Sequence, residues 1–176
     1  MCREQSDRAN ATRVQRLIEE ACNAGNLDTL DALFAPGCDV PETATPASRG
    51  RDGIKQALRL FRAAMPDAHW TIQEQVAAGD TVVTRLQVRG THRGGLWGIA
   101  PTGREATVAG VLFCRFARDR VAACWAQADL LSLLSQLGVL PAMDLERVVA
   151  VARVLQAGQT LAGLTAAEGG TATTRG

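Results

Sequence analysis

The sequence predicts an α+β fold with helices laid against one face of an antiparallel sheet. Three observations carry this reading. Apolar residues recur at helical spacing as far as Pro66, they alternate beyond it, and short Gly- or Asp-containing turns join the alternating runs.

Taken in order, Asn10 to Gly25 forms an amphipathic helix with Val14, Leu17, Ile18, Ala21 and Cys22 on one face and Gly25 as its stop. Asn26 is placed to cap a second, short helix carrying Leu27, Leu30, Leu33 and Phe34 and ending near Pro36. Residues 37–50 are rich in Pro, Thr and Gly and read as a loop with room for a small hairpin. Asp52 opens a third helix, faced by Ile54, Leu58, Phe61 and Met65 and closed by Pro66. Strands follow at 68–77, 81–91, 105–116 and 120–128, with tight connections at Gly79-Asp80 and Arg118-Asp119. The longer link over 91–104 is glycine-rich. Leu130 to Leu140 is expected as a short helix or turn before Pro141, and a last helix from Asp144 to Gln156 carries Leu145, Val148, Val149, Ala152 and Leu155 on one stripe. The organisation expected is a main domain over 10–140, a helical extension over 141–163 and a flexible tail over 164–176.

At 176 residues, 47% hydrophobic and 21% charged, the chain has the composition of one globular domain. A formal charge of +1 with no Lys or Arg block argues against nucleic acid or an anionic membrane as partner. The polar start, Met1-Cys2-Arg3-Glu4-Gln5-Ser6-Asp7-Arg8, lacks the apolar run of a signal peptide, and no stretch has the length of a membrane span. Five scattered cysteines without a C-x-x-C motif, and only two histidines, point to reduced thiols in the cytoplasm and to no metal site.

Alternation places Val121, Ala123, Trp125, Gln127 and Asp129 on one face of the last strand, with Cys124 on the other. In the preceding strands, Val111, Phe113 and Arg115 share a face, with Cys114 opposite, and so do Val83, Arg85, Gln87 and Arg89. Faces that mix bulky apolar and isolated polar groups suit a ligand pocket, and equally suit a solvated surface. Cys114 and Cys124 read as packed thiols.

Several segments together resemble the SnoaL-like polyketide cyclases. These are Gly25-Asn26-Leu27-Asp28, Leu33-Phe34-Ala35-Pro36, Met65-Pro66-Asp67, Gly90-Thr91-His92-Arg93-Gly94, Gly98-Ile99-Ala100-Pro101-Thr102-Gly103, and Trp125 and Asp129 ahead of Leu133-Leu134-Ser135-Gln136-Leu137-Gly138. The resemblance spans about residues 12–140. It implies a curved antiparallel sheet wrapped by three N-terminal helices into a cone-shaped barrel, an architecture shared with ketosteroid isomerase and scytalone dehydratase. It also implies a homodimer or higher homo-oligomer, a small apolar or aromatic substrate, and no cofactor. The family's strand carboxylate, an acid/base in ring closure, falls on Asp129. Arg115 stands where a histidine often assists, and Cys38-Asp39-Val40-Pro41 replaces a loop that often carries another histidine.

Asp129 is therefore the candidate base for an enolisable carbonyl, and it is also placed to cap the following helix. Arg115 suits enolate stabilisation or a rim salt bridge, and His92 suits proton donation or a structural role. Trp97, in the loop over the mouth, and Trp125, Gln127, Arg85 and Gln87, on the strands, are the candidate substrate contacts. The function expected is natural-product cyclisation by acid–base chemistry. Epoxide opening, with Asp39 as an outside candidate for a second acid, and a non-catalytic binding or dimerisation module are the alternatives on the same fold.

Overall fold

The computed structural model describes residues 2–40 and 50–140. Helix α1 (Cys2–Arg16) runs on into a π-helical segment (Leu17–Asn23), so the first helix begins earlier than its apolar stripe suggests. Then come α2 (Thr29–Leu33), β1 (Phe34–Asp39), α3 (Gly50–Ala64), β2 (His69–Ala78), β3 (Thr81–Thr91), β4 (Glu105–Ala117), β5 (Arg120–Ala128) and α4 (Leu130–Gln136). Asp28, not Asn26, occupies the N-cap of α2, and Asn26 instead accepts the backbone N–H of Asp28 through its side chain. The helix expected over 144–156, the extension and the tail lie outside the described residues.

The sheet runs β1-β5-β4-β3-β2. Four strands are antiparallel, as alternation and tight turns require, but β1 pairs parallel with β5 and makes the sheet mixed. Its residues, Phe-Ala-Pro-Gly-Cys-Asp, carry three poor strand formers, Pro36, Gly37 and Asp39, so sequence preference gives no sign of the strand. Burial of Phe34 and Cys38 against the helices decides the conformation.

Two bulges bend the sheet, one in β2 between Ile72 and Glu74 and one in the β4–β5 pair next to Val121. The second re-phases β5. Phe116 lies opposite Val121, while Arg115 lies opposite Ala123, leaving Ala122 as the extra residue. Val121 and Cys124 are both buried, and Trp125 and Gln127 fall on the other face. Strict alternation therefore misplaces Val121 relative to its strand mates.

Two hydrophobic cores stand at either end of the helix-covered face. One gathers Val14, Leu30, Phe34, Val82, Phe116 and Val121, and the other Met65, Trp70, Leu96, Val108, Leu133 and Leu137. Side-chain amides complete the sheet where backbone partners run out. Asn23 donates to the carbonyl of Trp70 at 3.0 Å and accepts its N–H at 2.8 Å. Gln136 does the same for Thr107, both at 2.9 Å. Arg62 of α3 donates to the carbonyls of Cys22 and Asn23 at 2.7 and 3.0 Å, satisfying acceptors that the end of the π-helical segment leaves open.

Candidate functional site

Between the two cores lies a cavity of about 530 Å³. Its walls are the inner faces of the helices and strands: Leu17, Ile18 and Cys22, then Ile54, Leu58 and Phe61, then Leu86, Val88, Val108 and Leu112. Leu60, Trp97 and Leu130 also line it while remaining 54%, 50% and 45% exposed, so they mark its mouth. Among the described residues no charged or amide side chain lines the cavity. Burial pushes the Cys22 thiol up to about 12, so it stays neutral at physiological pH. A hydrogen bond to Cys124 and burial raise Cys114 as well. The two sulfurs touch at 3.6 Å, which makes both packed thiols.

Asp129 ends β5 between Ala128 and Leu130, both of which line the cavity. Its backbone N–H donates to the carbonyl of Ala109 at 3.0 Å, continuing the sheet, and one carboxylate oxygen accepts the N–H of Ser132 at 2.9 Å, capping α4. The carboxylate is exposed. Asp129 itself is not among the lining residues, and its side-chain contact among the described residues is the cap of α4.

Trp97 is positioned by a two-residue turn. Leu96 and Ile99 bridge to each other, and Trp97 and Gly98 between them have φ of 49° and 82°, the sense of a type I′ hairpin. The loop carrying this turn is fixed at its root by the N–H groups of Arg93 and Gly94, which both donate to the carbonyl of Ala64 at 2.9 Å. A Cβ on Gly94 would collide with the carbonyl oxygen of Ala63, so only glycine permits this approach. His92 is fully buried beneath the loop. Its Nδ1 accepts the N–H of Thr102 at 3.2 Å and lies 3.1 Å from the Thr102 hydroxyl, which leaves the proton on Nε2. Nε2 has no hydrogen-bond partner among the described residues.

The remaining candidates lie on the strands. Trp125 is itself among the residues that line the cavity, while its ring stacks on Phe113, directly opposite on β4, with centroids 5.3 Å apart and planes 6° from parallel. The Arg115 guanidinium carbon stands 6.0 Å from the centre of that ring. Gln127 pairs across from Val111, Arg85 from the same Val111 on the other side, and Gln87 from Ala109. Arg85 also reaches Glu74 at 3.6 Å. The structure therefore brings Trp97 and Trp125 to the cavity, sets Asp129 between two lining residues without lining it, and gathers Arg85, Gln87, Arg115 and Gln127 on the opposite surface.

The SnoaL-like polyketide cyclase family matches residues 12–137, which is most of the chain and all of this architecture but the first part of α1. The chain belongs to that family. Among solved structures, IdmH of Streptomyces antibioticus, a candidate polyketide cyclase, is 33% identical over 73% of this chain and 98% of its own, with a TM-score of 0.65. TsrD of Streptomyces laurentii is 31% identical over 73% of this chain and 97% of its own, with a TM-score of 0.66. AclR of Streptomyces galilaeus, a candidate hydroxylase, is 22% identical over 86% and 94%, with a TM-score of 0.69, and shares the fold. No curated protein matches the chain. In this SnoaL-like chain, sequence reasoning passed over the cavity wall itself. Leu17, Ile18, Cys22, Leu58 and Phe61 stand on regular helical stripes, and a stripe that lines a cavity has the same spacing as one that fills a core. The available signal was the largely apolar face of β3 and β4, with Thr84 as its polar exception, the face that must lie under the helices.

Proposed function

We propose that this SnoaL-like protein is a cyclase acting on a small apolar or aromatic natural product, with Asp129 as the acid/base at the cavity mouth. The observation that carries the reading is the juxtaposition of an apolar cavity of about 530 Å³ with Asp129, an exposed carboxylate residue whose chain neighbours Ala128 and Leu130 both line it. A substrate seated in the cavity presents an enolisable carbonyl at the mouth. Asp129 takes the acidic proton there and returns it to the new alkoxide, as general acid–base catalysis requires a group within hydrogen-bond reach. Trp97 covers the bound molecule, and His92, bonded to Thr102, holds the loop that carries Trp97. Among the described residues no group of three His, Cys, Asp or Glu is placed to hold a metal, and no helix is long and apolar enough to cross a membrane.

The test is product formation by Asp129→Asn and the parent protein on a panel of aromatic polyketide esters and epoxides. Asn caps a helix about as well as Asp, so this change keeps α4 and removes only the base. Turnover is expected to fall by roughly 10²–10⁴-fold. Equal turnover by a folded Asn variant would remove Asp129 from the chemistry. Loss confined to epoxides would favour the ring-opening reading.

The assembly proposed is a homodimer through the far face of the sheet. Val83, Val111, Phe113 and Trp125 form its centre, and Glu74–Arg85 and Arg89–Glu105 neutralise one another at 3.6 and 2.9 Å. These pairs, and Arg115 set 6.0 Å from the centre of the Trp125 ring, reduce like-charge repulsion when the face meets its own copy. Val111→Arg is expected to give a monomer in light scattering, and an unchanged mass would overturn the assignment.

A further inference from the structure

Four of the five cysteines are buried, and two of these meet. Cys114 of β4 and Cys124 of β5 stand directly opposite each other, in the regular part of the ladder short of the bulge at Ala122. Residues so placed on antiparallel strands have Cα atoms about 4.5–5.5 Å apart, within the span of about 4.4–6.8 Å that a disulfide bridges. Both side chains join the same core on the helix-covered face, and their sulfurs are 3.6 Å apart. Their surroundings differ. Cys114 is fully buried and is not among the lining residues of the cavity, whereas Cys124 is one of them. The hydrogen bond with Cys124, and then burial, push the Cys114 thiol up, so of the pair it is the one held protonated. The cavity thus opens on one sulfur, and the second stands in contact behind it.

We infer that Cys114 and Cys124 form a modification site for apolar organic hydroperoxides, which enter the cavity, meet Cys124 and leave the two strands joined by a disulfide. The Cys124 sulfur attacks the terminal oxygen of the hydroperoxide. An S–O bond forms, the O–O bond breaks, and the alcohol leaves with the thiol proton. The Cys114 sulfur then attacks that of Cys124. The S–S bond forms, the S–O bond breaks, and the oxygen departs as water with the second thiol proton. The hydroperoxide gains two electrons and the thiol pair loses two. A sulfenic acid is carried on to a disulfide where a second thiol is close, and Cys114 is already in contact. The class of oxidant follows from the wall around Cys124. Most of the lining is aliphatic or aromatic, Leu17, Phe34 and Leu112 among it, so a hydrocarbon-bearing oxidant concentrates there and a fully hydrated one does not. A ligand bound in the cavity occupies the same space, so ligand and oxidant exclude each other and the disulfide marks an empty site. The site is independent of Asp129 and its chemistry.

The test treats the full reduced chain with cumene hydroperoxide or hydrogen peroxide, each rate taken relative to that of the same peroxide with N-acetylcysteine. Trypsin cuts after Arg115, Arg118 and Arg120, between the two cysteines, so non-reducing digestion and mass spectrometry identify the bond. Expected are the loss of two of the five thiols and a link between peptides 105–115 and 121–147. The relative rate should be about tenfold or more higher for cumene hydroperoxide, the factor that burying a few apolar carbons supplies. Saturating biphenyl, as an occupant of the cavity, and Ala57→Trp, which fills it from α3, should each slow the reaction by about the same factor. In Cys114→Ala the reaction should stop at a Cys124 sulfenic acid, which dimedone traps as a single adduct. Five intact thiols overturn the inference, as does a link through Cys22 or Cys38, or oxidation of Cys124 with no link. Equal relative rates for the two peroxides overturn it as well, and so does a rate that biphenyl or a folded Ala57→Trp leaves unchanged.

Discussion

Trp97 occupies backbone with φ of 49°, a conformation that glycine or asparagine adopts at little cost and a bulky aromatic does not. The strain is tolerated because the turn from Leu96 to Ile99 holds the indole over the cavity mouth. Trp97→Asn is expected to raise stability by about 1 kcal/mol and to weaken binding of an apolar aromatic probe to the cavity severalfold, checked by chemical denaturation and titration on the same samples. A residue kept for folding alone would show the first effect without the second. Asp67 illustrates a different local debt. Its carboxylate accepts both the N–H and the hydroxyl of Thr91 at 2.7 Å, and these bonds, the backbone one first, hold its carboxyl below the usual carboxylate range. A depressed folded pKa contributes stability that is complete above the unfolded value of about 3.9 and is lost as pH falls through the folded one. The melting temperature should therefore drop on acidification below about pH 4, and Asp67→Asn should remove part of that dependence.

At the scale of elements, Asn23 and Gln136 do what strands do. Each offers an amide that imitates a peptide group, and each pairs with one residue, Trp70 or Thr107, through both of that residue's backbone groups. Replacing Asn23 by Ala leaves two partly buried backbone groups of Trp70 without these partners and should cost about 2 kcal/mol in urea unfolding. Because Asn23 ends the π-helical segment that carries Leu17, Ile18 and Cys22 to the cavity, Asn23→Ala should also loosen ligand binding. The elements themselves were largely legible in sequence. The four antiparallel strands and α3 follow from periodicity, because one face of each is apolar and its neighbours across tight turns are near in sequence. β1 was not legible, since Pro36 and Gly37 disguise it and its partner β5 is remote in the chain. Nor was the π-helical segment, whose apolar residues keep the spacing of an ordinary helix. Of the candidate residues on loops and strand ends, Trp97 lines the cavity and Asp129 stands next to two residues that do. Where alternation was asked to choose the concave face it had no means to do so, because a polar-and-aromatic face such as that of Phe113, Arg115 and Trp125 looks the same whether it lines a pocket or meets another surface.

At the scale of the whole described unit, the cavity exists because two cores stop short of each other. Neither the inner faces of β3 and β4 nor the stripe of α3 carries side chains large enough to meet across the middle, and Ala57, Ala126 and Ala128 keep the gap open. Stability and function thus draw on adjacent but separate side chains. Leu30→Ala, deep in one core and fully buried, should destabilise by about 3 kcal/mol with ligand affinity preserved, whereas Ala57→Trp should leave stability intact and close the cavity; paired melting and titration of the two variants distinguish them.

The bulge at Ala122 gives β5 the logic of a reading frame. Each residue of the strand is assigned to the cavity or to the far face by its count from the last irregularity, so a loss of length changes the meaning of everything downstream while a substitution changes one word. Deleting Ala122 removes the irregularity itself and keeps Val121, Cys124, Ala126 and Ala128 in phase. Deleting Ala126 instead shifts the phase and brings Gln127 round to an amide-free wall. A single-codon deletion at that place puts an amide into the cavity wall, and no side chain has to be redesigned to do it.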